Sequence, residues 1–114
     1  ALGRVGGILE AKKIAGMAEA SYAQIAPHLY CGPIEGAANI QLSTCSPNFL
    51  ILEGIQRWDG FHAEILKKPI RWESGYVIPS SEPGIGVELD EEVALANPYK
   101  ETALHLEMVD KPIR

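Results

Sequence analysis

Cysteine is scarce in this sequence, aromatic residues are few, and no apolar run is long enough to cross a bilayer. Each shortage excludes something. The two cysteines are Cys31 and Cys45. They stand too far apart for a C-x-x-C redox or zinc motif. With no sign of secretion, both are expected as free thiols that serve packing in a reducing, cytoplasmic setting. A nucleophilic role would need an activating base beside one of them. Positive charge is short as well: 10 Lys and Arg stand against 15 Asp and Glu, a formal net charge of −5. That balance argues against nucleic acid and against an anionic membrane as partners. No stretch approaches about 18 consecutive apolar residues, so no transmembrane helix is expected. No charged segment leads into an apolar run at the start, so no signal peptide is visible. Internal repeats and low-complexity tracts are absent too.

What remains is a globular composition. Hydrophobic residues make up 46% of 114 positions and charged residues 22%, enough for one small domain with its own core. The first half alternates. Gly3-Arg4-Val5-Gly6-Gly7 reads as a tight glycine-rich turn. From Ile8 to Ala20 the apolar positions Ile8, Ala11, Ile14, Ala15, Met17 and Ala18 recur at helical spacing, with Glu10, Lys12, Lys13 and Glu19 on the polar side. Ala11, Ala15, Gly16, Ala18 and Ala20 are small, which suits close packing on a sheet. Tyr22 to Ala26 is a short run read as a buried strand that stops at Pro27-His28. Gly32-Pro33 opens a second helical pattern, Ile34 to Thr44, with Pro33 suited to a first turn and Ile34, Ala37, Ala38, Gln41 and Leu42 along one face. Pro47-Asn48 breaks it. Phe49-Leu50-Ile51-Leu52 is a second buried-strand candidate and ends at Glu53.

Helix, strand, helix, strand with short links predicts α/β architecture: a parallel sheet with right-handed crossovers. Two parallel strands cannot make such a sheet stable, since each needs covered faces and paired neighbours. The glycine turn has no strand before it. Earlier β/α units are therefore expected outside this chain, and its unpaired edges are expected to favour self-association.

Beyond Glu53 the texture changes. Trp58, Phe61, Trp72, Tyr76 and Tyr99 enter, with more prolines. Ile70-Arg71-Trp72-Glu73 and Tyr76-Val77-Ile78 flank Ser74-Gly75, a β-hairpin pattern. Pro83-Gly84-Ile85-Gly86-Val87 is a turn with permissive glycines. Asp90-Glu91-Glu92 before Val93-Ala94-Leu95 predicts an N-capped short helix, ended by Asn97-Pro98. This half reads as a tail that packs back on something else.

Two residues stand out for chemistry. His28 follows one strand candidate and Glu53 the next. In a parallel α/β barrel the active site lies at that end of every strand, so both groups would point into one mouth. A histidine there can move a proton near neutral pH. A carboxylic acid can hydrogen-bond a developing oxyanion. Either alone reads as readily as a structural histidine or a loop carboxylate; the pair in register is more informative. Gly6-Gly7 before a helix could hold phosphate, but departs from G-x-G-x-x-G. His62 and His105 form no metal-ligand spacing with His28. Glu64, Glu73 and Glu82 read as solvated, and Trp58 and Trp72 as core or interface residues.

At these positions the sequence resembles the enolase superfamily. The resemblance is carried by Gly3-Arg4-Val5-Gly6-Gly7-Ile8, Ala11-Lys12-Lys13-Ile14-Ala15, Ala26-Pro27-His28, Gly32-Pro33-Ile34 and Pro47-Asn48-Phe49 through Glu53. Gly75-Tyr76-Val77 and Pro83-Gly84-Ile85-Gly86-Val87 continue it. It is nearest the mandelate racemase/muconate lactonizing enzyme family and, within that, the galactonate dehydratase-like sugar-acid dehydratases. It implies the C-terminal part of a (β/α)₈ barrel, its last two strands and helices at residues 1–56, with a tail at 57–114 returning to the capping domain. A full barrel takes about 250 residues. The resemblance also implies the site. His28 falls where the family has the histidine after the seventh strand, which moves a proton next to the substrate carboxylate. Glu53 falls where it has the glutamate after the eighth, which hydrogen-bonds a carboxylate oxygen as the enediolate forms. Their 25-residue separation suits the dehydratase branch better than the racemase proper.

The implied activity is Mg²⁺-dependent dehydration of a sugar acid, a lyase reaction; racemisation or epimerisation on the same scaffold is the second expectation. The magnesium ligands would lie upstream of this chain. The family's aspartate that holds the histidine falls at Ala1 or is absent, so the chain alone is expected to be inactive. A non-catalytic α/β binding or interaction module is the reading from a different class.

Overall fold

The computed structural model describes residues 1–54, 58–98 and 100. The boundary at 56/57, Tyr99 and His105 lie outside the described residues. Leu2–Val5 forms a short helix, α1, and Ile8–Ala20 forms α2. The expected glycine turn is thus one helical turn followed by a glycine hinge. Gly6 and Gly7 take φ of 105° and 92°, a region that side chains with a Cβ adopt only with strain. That backbone demand accounts for both glycines.

Pro33–Thr44 forms α3, with Pro33 in its first turn and Gly32 before it. Proline costs nothing there, because the first-turn N–H groups have no helical partner. Leu2 of α1, Ala11 of α2 and Leu42 of α3 meet in a small core, with Ala38 against it. Of the small residues of α2 expected to pack on a sheet, Ala11 and Ala15 are buried, Ala11 against helices α1 and α3, while Gly16 and Ala20 are exposed. Lys12 fixes the far end of the pair by donating to the carbonyl of Cys45 at 2.7 Å, which satisfies a carbonyl just past the end of α3.

α3 is buried more widely than one stripe. Besides Ala37 and Leu42, it buries Gly36, Asn39, Ile40 and Ser43, while Ile34 is exposed. The helix therefore packs on two sides, and a one-face pattern underestimated it.

The two parallel strand candidates are a correction in part. Ile25 and Phe49 form one parallel bridge, and the pairing goes no further as regular strand. Pro27 has no N–H to extend the ladder. Leu50 and Ile51 are 59% and 62% exposed, so this segment is not buried among the described residues. Parallel strands are buried only when both faces and both edges are covered.

In the second half, Phe61–Glu64 is a short helix, α4, which the sequence pattern did not single out. Arg71–Glu73 (β1) and Tyr76–Ile78 (β2) pair antiparallel in the register Arg71 to Ile78, Trp72 to Val77 and Glu73 to Tyr76. Ser74 and Gly75 both take positive φ, 50° and 83°. That is the two-residue turn whose twist matches a hairpin. Glu91–Ala96 is α5; the Asp90 side chain accepts from the Val93 N–H at 3.1 Å, the expected N-cap. The tail returns onto α3: Gln41 donates to the carbonyl of Ile85.

Candidate active site

The site begins with three backbone bonds. Ile25 N–H donates to Asn48 O at 2.9 Å, and Leu50 N–H to Ile25 O at 2.9 Å, as in a parallel ladder. Two residues on, Pro27 O accepts from Glu53 N–H at 3.2 Å. The second segment thus advances three residues while the first advances two. This one-residue slip sets Glu53 beside the segment that carries His28.

Asn48 holds the entry to the second segment. Its side-chain amide donates to Ala15 O at 3.0 Å and to Ala23 O at 2.9 Å. One residue so ties α2 and both strand-like segments together. Leu29, next to His28, is buried and anchors the other loop.

The two expected residues meet. His28 Nδ1 is in direct contact with the Glu53 carboxylate. Both side chains are more than half exposed, at 56% and 60%, so each remains open to a ligand. An ionised carboxylate only accepts hydrogen bonds, so Nδ1 carries the hydrogen. In the neutral ring that leaves Nε2 with a free lone pair, able to take a proton. The arrangement can thus provide a proton acceptor and a carboxyl group at one spot.

Beyond the pair lies an aromatic wall. Trp58 donates from Nε1 to Cys31 O at 3.0 Å. Its ring lies 6.0 Å from that of Trp72, tilted by 54°. Trp72 in turn adjoins Gly54, where a Cβ would stand 3.7 Å from the ring. At Gly36 a Cβ would stand 2.6 Å from Trp58, so α3 admits this ring only because position 36 has no side chain. Both tryptophans are packed, as expected. Their link to the loops of His28 and Glu53 had no sequence signal, since it depends on tertiary placement.

The remaining candidates separate. His62 lies in α4 with its ring 5.5 Å from Phe61. Among the described residues no group of three or more His, Cys, Asp or Glu could hold a metal ion. His28 and Glu53 supply two donors, one of them nitrogen, whereas Mg²⁺ prefers an octahedron of oxygens. The described residues therefore do not fit a magnesium site of their own. Glu64, Glu73 and Glu82 are exposed; Glu73 pairs with Arg71 at 2.6 Å.

Both cysteines are free. Burial first, then the hydrogen bond and charge of Glu35, push the Cys31 thiol up to about 12. That is the reverse of nucleophile activation. Cys45 is exposed at the end of α3, so its packing role is a correction. Among the described residues no helix is long and apolar enough to cross a membrane.

Residues 1–93 match the family described as "Enolase C-terminal domain-like". A D-galactonate dehydratase of Cronobacter sakazakii is 42% identical over 103 residues, 83% of this chain and 26% of the relative. A crystal structure from Labrenzia alexandrii, described as a mandelate racemase/muconate lactonizing enzyme, is 69% identical with a TM-score of 0.83; the match covers 91% of this chain and 27% of that one. A third structure, from Burkholderia xenovorans, is described as an L-alanine-DL-glutamate epimerase bound to magnesium and fumarate. It is 28% identical with a TM-score of 0.78, over 83% of this chain and 24% of that one. The chain spans about a quarter of the length of the relatives it matches.

Proposed function

Starting from a chain that belongs to the enolase superfamily, as a C-terminal part of the mandelate racemase/muconate lactonizing enzyme family, we propose that it completes the active site of a sugar-acid dehydratase. The observation that carries this reading is the contact of His28 with Glu53 at the ends of two segments paired in parallel. In this reading residues 1–56 are the last β/α units of a (β/α)₈ barrel, and residues 57–114 are a tail toward the capping domain. Residues outside this chain would hold the magnesium ion and close the site.

His28 would move a proton through Nε2 at the carbon next to the substrate carboxylate. Such a proton is very weakly acidic, so the enediolate that forms needs electrostatic help. As Nε2 takes the substrate proton, the Nδ1 hydrogen would pass to Glu53, which would then leave His28 as the neutral acid and donate a hydrogen bond to a carboxylate oxygen of that enediolate. The neighbouring hydroxyl would leave as water with the proton held at His28 Nε2, the Glu53 proton returning to Nδ1, which would complete a dehydration. The substrate is a small sugar acid; neither nucleic acid nor membrane is a partner in this reading. The exposed Leu50 and Ile51, beside a single parallel bridge, would favour self-association whenever no neighbour covers them.

Epimerisation is the second reading, favoured by the similarity to the Burkholderia xenovorans structure described as an epimerase. The test is turnover of a panel of sugar acids by the full-length protein in D₂O. Loss of water with a 2-keto acid product supports dehydration. Deuterium at the α-carbon with the hydroxyl retained supports epimerisation. Binding without either reaction supports the non-catalytic module. Robust turnover by these 114 residues alone would sink the reading that they complete a larger site.

A further inference from the structure

We propose that Trp58 and Trp72 are positioning residues that clamp the loop after His28 to the residue after Glu53, and so set how the two groups face each other. This rests on the assignment of His28 and Glu53 given above, but its test does not need their activity.

Two contacts and one close approach form the clamp. Trp58 Nε1–H donates to the carbonyl of Cys31, three residues beyond His28. Trp58 and Trp72 pack ring against ring. Trp72 stands near Gly54, the residue after Glu53, with its ring 3.7 Å from where a Cβ at that glycine would sit. The chain between His28 and Cys31 has little slack, because Leu29 is 2% exposed. In the proposed clamp a shift of the Trp58 ring would reach Cys31 and, through the seated Leu29, His28. The ring itself is seated on α3 at Gly36, where Leu29 Cδ2 also comes within 3.8 Å of the Cβ position. One glycine of α3 thus receives both the histidine loop and the clamp.

Two exposed side chains would not keep one geometry by their own contact, since a surface ion pair is worth little and is easily broken. A rigid pair of indoles behind them supplies what that contact lacks. The same two rings line a small cavity of about 160 Å³ with Pro33, His62, Leu66 and Pro69. The clamp thus has room on one side and can be loosened by substitution without overpacking.

The experiment is ¹⁵N NMR of the histidine rings in the protein at its native length. In the unmodified protein the Trp58 Nε1 proton should exchange slowly; rapid exchange with solvent overturns the proposal before any substitution is made. Trp58→Phe keeps a ring but removes the donor to Cys31. Trp72→Leu removes the ring against Gly54. Each should move the His28 Nδ1 resonance toward that of a solvent-exposed histidine, with the α2 amides unchanged as the folding control. Trp72→Phe should restore most of the shift. If Trp72→Leu disturbs α2, Trp58→Phe decides. An unmoved His28 resonance in Trp58→Phe, with the indole hydrogen bond gone, overturns the clamp. Where turnover exists, kcat should fall about tenfold to a hundredfold with KM little changed.

Discussion

Nδ1 of His28 meets the carboxylate of Glu53 across 25 positions of sequence. The meeting is arranged by backbone: the parallel bridge of Ile25 to Phe49 aligns the segments, and the bond from Glu53 N–H to Pro27 O slips them by one residue. A bond to Nδ1 leaves Nε2 outside the pair, the nitrogen that would move the proton in the proposed reaction.

If the pair works as proposed, His28→Ala in the full-length protein should lower kcat by about 10²–10⁴. Glu53→Ala, which removes the hydrogen bond to the enediolate, should lower it by about 10²–10³. The double substitution should cost far less than the product of the two, because groups acting as a unit are not additive. Full activity in both single variants would end the assignment.

Gly36→Ala should destabilise the fold. The new Cβ would stand 2.6 Å from a Trp58 ring that Cys31 holds in place. Overpacking costs about 1–3 kcal/mol, while removing a mid-helix glycine returns up to about 1 kcal/mol. A lower urea midpoint is expected, recovered in Gly36→Ala combined with Trp58→Leu.

Asn48→Asp should be at least as harmful as Asn48→Ala. The native amide donates to two carbonyls, Ala15 O and Ala23 O. A carboxylate cannot donate and would face both oxygens. A loss of about 1–3 kcal/mol is expected for either change, measured by chemical denaturation. An aspartate variant of native stability would show that these bonds do not form in solution.

Alkylation should separate the thiols. Cys45 is exposed, and Cys31 is held protonated up to about 12, so iodoacetamide at pH 8 should label Cys45 first. The raised value also gives a sign. Between pH 9 and about 12 the unfolded chain loses the Cys31 proton while the folded one keeps it, so stability falls as pH rises through that window. A Cys31→Ala variant should lose this part of the pH dependence.

Asp90→Ala should lower stability by about 1 kcal/mol through loss of the cap on Val93 N–H. Asp90→Asn should be nearly neutral, because the amide oxygen still accepts. Far-ultraviolet circular dichroism during denaturation checks both.

Much of the local structure was legible in the residues themselves. Helical spacing with small residues marked α2 from Ile8 to Ala20, and Gly32-Pro33 marked the start of α3. Ser74-Gly75 marked the hairpin turn, and Asp90 marked the cap of α5. These features are decided within a few residues, by backbone preference and by side chains that satisfy nearby N–H groups. The order of motifs also carried the family resemblance, and with it the roles expected of His28 and Glu53.

Tertiary structure decided the rest, because it depends on partners distant in sequence. Whether Phe49 to Leu52 is a buried strand depends on neighbours that cover both its faces, and here Leu50 and Ile51 are exposed. Whether Asn39 and Ser43 are core depends on what packs on the second side of α3. That Nδ1 of His28 meets Glu53 depends on how the two segments pair, and that Trp58 and Leu29 share one place on α3 depends on the bare position at Gly36. No spacing in the chain encodes that contact; only the folded arrangement of α3, the two loops and the hairpin makes it.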